Sequence, residues 1–385
     1  MPSATKRANL ATPGKASPAI FILLSVFALV MLGITILFSA SLPVDSQSPY
    51  VYIEKQAIWI VITFFVGLGV LRVDLEWLRK FIWLGFALSI VGLILVLTPL
   101  GSVVNGSRSW IRFGPAGFQV AEFAKIGLVF FLAHYFSLCQ NERGQFFKGF
   151  VYPCLAIAAI LVPILMQTDL GTAMIIAMAS LCILYIAGVK LYFLIPSIVV
   201  GVGGVVALII NDKERWSRLT AFLDMEGQKS GDAYQVWQAM LAFGAGGIDG
   251  VGLGNGRQQL QFLPEAHNDF IFAIVGEELG LIATLAVVLV YAVMFIAGIV
   301  HLRKAPNIYQ YLLAGGCLLM ISVQAVVNLG VVTGCLPTTG LPLPFISYGG
   351  SNLLIMGICV AVLLNTCSAW QKPAFKQSKR KLKEI

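Results

Sequence analysis

Three kinds of side chain able to do chemistry recur in this chain: a carboxylate beside an imidazole, paired arginines, and ionisable groups inside apolar runs. The first lies in PEAHND (264–269), which leads straight into a long apolar segment. Asp269 and His267 are both candidate general bases there. Imidazole has the better-matched unperturbed pKa, whereas a helix dipole would lower the pKa of Asp269 and burial would raise it. The competing role is structural, because Asn268 or Asp269 could cap the helix that follows. The residues alone leave both roles open. Arginine suits phosphate, since its planar fork donates two hydrogen bonds at once. NGSRSWIRFG (105–114) supplies Arg108 and Arg112, and RWSRLTAF (215–222) supplies Arg215 and Arg218. Surface solubility or lipid-headgroup contact is the plainer role for each.

Other groups carry weaker signals. Glu122 and Lys125 form an i,i+3 pair on one helix face, either a satisfied ion pair or part of a polar cavity. Glu277 and Glu278 fall about 12–13 Å beyond Asp269 along a helix. Carboxylates at such depth are costly and are either functional or paired. Asp224-Met225-Glu226 has the look of a metal site, but two acids in a loop say little. Glycines at 250, 252, 254 and 256 imitate a nucleotide loop. No strand pattern precedes them and no Lys-Ser/Thr follows, so a flexible loop is the better reading. LPTTGLPLPFISYGGSN (336–352) is uncharged and rich in Pro and Gly, hence irregular backbone that lines a cavity, packs on protein or makes a rigid turn.

The elements that must position these groups follow from composition. Of 385 residues, 58% are hydrophobic and only 11% charged, against about 25% charged in soluble domains. A water-soluble domain, a disordered chain and a secreted disulfide scaffold are excluded. The continuous apolar runs also argue against a membrane barrel. Runs near 19–41, 57–73, 79–98, 121–138, 150–167, 170–188, 191–210, 270–299, 308–333 and 352–370 each have a length that spans a bilayer. The fold class is therefore an all-α polytopic integral membrane protein with about ten transmembrane helices.

Orientation comes from counting cations. With both termini inside, seventeen Lys and Arg fall inside and eight outside, with Lys125 within a span. The positive-inside rule thus favours N-in/C-in. The organisation expected is a basic cytoplasmic tail (1–18), a ten-helix membrane domain (19–370) and a second basic tail (371–385). A large extracytoplasmic loop (212–268) joins helices 7 and 8. Within it AYQVWQAMLAF (233–243) reads as an interfacial helix. The net charge of +8 reports topology and membrane-surface attraction rather than nucleic acid. Seven cysteines without metal spacing predict neither a disulfide nor a thiolate site.

Several motifs resemble one family. NGSRSWI, QTDLGTA (167–173), GDAYQ…GVGLGN (231–255), LPEAHNDFIFAIVGEELG (263–280) and LPLPFISYGG (341–350) are similar, in the same order, to the SEDS proteins of bacterial division, elongation and sporulation. PEAH and GEELG look more like its FtsW branch than its RodA branch. The resemblance implies a peptidoglycan glycosyltransferase that polymerises lipid II, with Asp269 as the essential extracellular carboxylate. It implies supporting roles for Glu122 and Lys125 in a central cavity and for Arg108 and Arg218 near substrate. It also implies a class B penicillin-binding protein and other divisome proteins as partners, in the bacterial inner membrane. Two positions depart from the family pattern. Val120-Ala121 replaces a proline-serine before Glu122, and Thr168 replaces a proline before Asp169.

The chemistry read from the residues agrees with that resemblance. A lipid-diphosphate donor already carries a good leaving group, so the reaction needs a base and positive charge. Arg108, Arg218, Lys125 or a divalent cation (Mg or Mn) would supply the charge. A flippase for the same lipid-linked precursor would also show ten spans with intramembrane acids and amines. A non-catalytic scaffold is a third reading.

Overall fold

The computed structural model describes residues 17–41, 50–104, 107–113, 116–229, 231, 233–258, 262–264 and 266–369. The two basic tails expected at 1–18 and 371–385 lie almost wholly outside these residues. Ten helices among the described residues are long and apolar enough to cross a membrane. In chain order the elements are α1 (Pro18–Ser41), α2 (Val51–Arg72), α3 (Leu75–Leu78) and α4 (Ile82–Leu97). Three strands follow, β1 (Ser102–Val104), β2 (Ser107–Phe113) and β3 (Ala116–Gln119). Then come α5 (Val120–Leu138), α6 (Tyr152–Met166), α7 (Leu170–Ala187), α8 (Leu191–Ile210) and the short α9 (Lys213–Leu223) and α10 (Tyr234–Gly246). The chain ends with α11 (Ile271–Leu302), α12 (Ile308–Val332) and α13 (Gly350–Ala369).

Helices α5, α12 and α13 form the centre, with α12 packed on both α5 and α7. Small residues let these helices approach closely, as expected where lipid offers no hydrophobic drive to association. A Cβ on Gly316 would sit 2.5 Å from Val129 across the α12–α5 seam, and one on Gly298 would sit 2.5 Å from Leu318. Helix α2 packs chiefly on α13, and α1 on α11. By contrast α8 buries only Leu194 and stands at the edge of the bundle.

Between the third and fourth spans lies an antiparallel sheet in the order β1-β2-β3. Trp110 pairs with both Ser102 and Gln119 across it. Helix α10 also differs from expectation. It buries Val236, Ala239 and Ala242 and packs against α11, so protein rather than the bilayer surface takes its apolar face.

Helix α11 is broken at Gly280, whose φ of 75° interrupts the helical ladder. A Cβ there would lie 2.3 Å from the Ile248 carbonyl, so the break is where the chain leaving α10 crosses it. At the inner end Arg79 bridges Glu76 at 2.9 Å, donates to Ser137 and stacks on Tyr309, tying α3, α5 and α12 together.

Candidate active site

A cavity of about 2360 Å³ lies between α2, α7, α8, α9, the sheet and the irregular segment 337–349. Drug-sized ligands occupy roughly 300–1,000 Å³, so this space suits something larger. One end is polar, with Arg112, Asp169, Arg215, Arg218, Asn268 and Asp269 on its walls. The rest is largely apolar and runs between α7 and α8.

Asp269 reaches this cavity because the helix does not use it. The α11 N-cap is Phe270, neither Asn268 nor Asp269. Asp269 is 9% exposed. Its backbone carbonyl accepts a hydrogen bond from Asn328 Nδ2 at 2.8 Å, and the same nitrogen donates to the Leu341 carbonyl at 2.6 Å. One buried amide of α12 therefore sets the carboxylate against the irregular segment. Gly340, at φ 67°, turns the irregular segment next to this carboxylate in a conformation that favours glycine.

His267 is placed differently. Its ring packs 4.5 Å from Tyr52 and 6.0 Å from Tyr348, and its carbonyl accepts from the Tyr348 N–H. It is not part of the cavity lining. Burial, then the nearby Tyr52 hydroxyl, raises the Tyr348 pKa above its usual value. That phenol, which does line the cavity, is therefore neutral and able to donate at neutral pH.

Glu122 and Lys125 lie beneath the cavity wall and do not line it. Each is 1% exposed. Lys125 Nζ is 2.7 Å from Glu122 Oε1 and donates to Gln324 Oε1 at 2.9 Å. Gln324 Nε2 in turn donates to the Pro342 carbonyl and to Asn352 Oδ1, both lining residues. The buried charges thus support the wall through a single amide.

The arginines separate as well. Arg218 and Arg215 on α9 line the cavity, with Arg215 paired to Asp212 at 3.1 Å. On β2 the lining arginine is Arg112, while Arg108 is exposed outside the lining. Sequence reasoning also passed over Asp169 as a lining residue. One of its oxygens accepts from Thr172 N and the other from Gln119 Nε2, so it caps α7 and holds β3. Thr168 before it has φ 63°, a conformation closed to proline. The turn into α7 therefore differs from a proline-containing one.

Glu277 and Glu278 do not line the cavity either. Glu277 accepts from the backbone N–H groups of Arg257 and Gln258 at 2.8 and 3.2 Å. Glu278 accepts from Ser39 at 2.5 Å and from Gly254 N at 3.2 Å. The N–H groups of Gly254, Arg257 and Gln258 thus go to these carboxylates, and those of Gly250, Val251 and Gly252 go to backbone carbonyls, where a nucleotide loop would turn them to a phosphate. Asp224 likewise accepts from Gly227 N and closes a turn. Among the described residues no three His, Cys, Asp or Glu groups converge to hold a metal.

A ten-helix membrane protein whose large, mostly apolar cavity is also lined by a buried carboxylate and arginines is the class this fold and site define. The chain belongs to the FtsW/RodA/SpoVE family, described as "Cell cycle protein", which matches it over residues 19–371. Its relatives include "Probable peptidoglycan glycosyltransferase FtsW" of Coxiella burnetii, 36% identical over 89% of this chain and 94% of that protein. The protein of the same description in Aeromonas salmonicida is 38% identical over 88% and 87%. Two solved structures share the fold at 24% identity. A chain of a peptidoglycan synthase complex matches 91% of this chain and 98% of itself with a TM-score of 0.76. Thermus thermophilus RodA matches 91% and 97% with a TM-score of 0.68.

Proposed function

We propose that this multi-pass membrane protein is a peptidoglycan glycosyltransferase of the division machinery, polymerising lipid II at the outer face of the bacterial inner membrane, at the septum. The observation that carries the reading is that Asp269 lines one cavity together with Arg112, Arg215, Arg218 and the apolar faces of α7 and α8. Family membership and the names of the relatives support it.

In this reading Asp269 takes the proton from the GlcNAc 4-hydroxyl of the acceptor. That oxygen attacks the anomeric carbon of the donor MurNAc in line, with inversion. The bond to the diphosphate breaks and its electron pair leaves with undecaprenyl diphosphate. Arg215 and Arg218 face the charge that develops there. The described residues offer no ready cage for Mg or Mn. A divalent cation would arrive on the substrate diphosphate, since Mg commonly keeps waters and binds few protein carboxylates. The partner is a class B penicillin-binding protein that cross-links the product strand, together with other divisome proteins.

Purified protein, co-expressed with that transpeptidase and given lipid II, should make glycan polymer. Asp269→Asn should lower the rate by about 10²–10⁴-fold while keeping the wild-type melting temperature. His267→Ala should retain polymerisation. Equal activity of wild type and Asp269→Asn would remove the base assignment, and a dead His267→Ala would transfer the role to the imidazole.

A further inference from the structure

Polymerisation of one lipid-linked sugar brings two lipid diphosphates to a single carboxylate, and the cavity has two unequal ends for them. This inference rests on the glycosyltransferase reading above. At one end the α7 lining runs from Leu170 to Leu181, about 17 Å at 1.5 Å per residue. The facing α8 lining extends down to Ser197. The slot therefore reaches roughly halfway through a ~30 Å hydrocarbon core. Arg215 and Arg218 stand at its top, on the helix that follows α8. At the other end Lys55, Ile58, Trp59 and Ile62 line the cavity from α2. Their i, i+3, i+4, i+7 spacing makes one helix face, only about 10 Å long.

We propose that the deep α7–α8 slot holds the donor polyprenyl diphosphate, and that the shallow α2 ledge receives the acceptor. The donor diphosphate gains charge as the glycosidic bond breaks, and the planar guanidinium forks of Arg215, shared with Asp212, and Arg218 answer that better than a point-charge ammonium. The longer apolar slot also buries more of a polyprenyl chain and so gives the firmer hold. The acceptor diphosphate keeps its charge throughout. Lys55 serves it as a point charge, and the Trp59 indole offers an apolar face for a sugar ring. That indole lies directly on the first residue of α13, where a Cβ on Gly350 would come within 2.1 Å of it. Its ring is thus fixed by the backbone at the start of α13.

Two substrate analogues separate the ends. A lipid II lacking the GlcNAc 4-hydroxyl can only donate. A lipid II with methylene in place of the anomeric oxygen can only accept. Mixed, they undergo one condensation, whose KM for each is read independently with the full chain and its transpeptidase. Lys55→Ala, at an exposed position, and Trp59→Leu should raise the acceptor KM about tenfold, or 1.4 kcal/mol, with the donor KM within about twofold. Gly204→Trp should do the reverse. A Cβ at Gly204 meets nothing within 4 Å, so its indole can fill the slot without disturbing the bundle. Exchange of the two patterns, or equal movement of both KM values in each variant, would overturn the assignment. Failure of wild type to polymerise ordinary lipid II would instead overturn the glycosyltransferase reading.

Discussion

At the scale of single residues, the ionisable groups divide by what they face. Asp269 meets the cavity, while Glu122 and Lys125 meet each other and Gln324. Breaking a buried pair leaves one charge uncompensated and costs about 3–5 kcal/mol, whereas replacing both partners with apolar groups is often close to neutral. Lys125→Met should therefore lower the melting temperature in detergent sharply, and the Glu122→Leu/Lys125→Met pair should recover most of it. Recovered stability together with recovered polymerisation would identify the pair as a support for the wall. Recovered stability without activity would give Lys125 a part in the chemistry. From sequence, the i,i+3 spacing showed that these two could pair, but not that a glutamine about 200 positions away would link them to the cavity floor.

At the scale of elements, the loop 250–258 is held by carboxylates that look catalytic in a linear reading. Glu277 is about two helical turns from the base yet accepts two backbone N–H groups instead of facing substrate. Charge-assisted hydrogen bonds of this kind contribute about 1.5–3 kcal/mol each. Glu277→Gln should release the loop, so limited proteolysis at Arg257 should accelerate by at least tenfold before global unfolding. Unchanged protection would mean that packing against α11 alone holds the loop. The spans were legible because about 20 apolar residues admit few other interpretations. The sheet was not, since seven-residue β2 carries two arginines and takes its partners from segments that look like turns. Helix α10 was legible as a helix, but its apolar face did not say whether lipid or protein would cover it.

At the scale of the whole molecule, helix burial is uneven in a way that serves the site. The central helices are fixed by close approach at small residues, while α8 buries one side chain and forms a wall of the apolar slot. An enzyme and a flippase would both place a slot there. They differ in whether product forms without a bilayer to cross. Detergent-solubilised protein should convert lipid II to polymer resolved on a gel. Lipid movement in vesicles without any polymer would favour transport.

Sequence by itself determined the class of molecule, its ten spans and the family, because long apolar runs and long motifs constrain the chain locally. It also determined which acids and cations were available. Only the tertiary structure showed that Asp269 lines the cavity while His267, Glu277 and Glu278 do not, and that Arg112 lines it while Arg108 does not. The physical reason is that a carboxylate's role depends on what occupies its lone pairs, and those donors come from residues distant in the chain. Asn328 turns Asp269 toward the cavity, two tyrosines claim His267, and a glycine loop claims the glutamates.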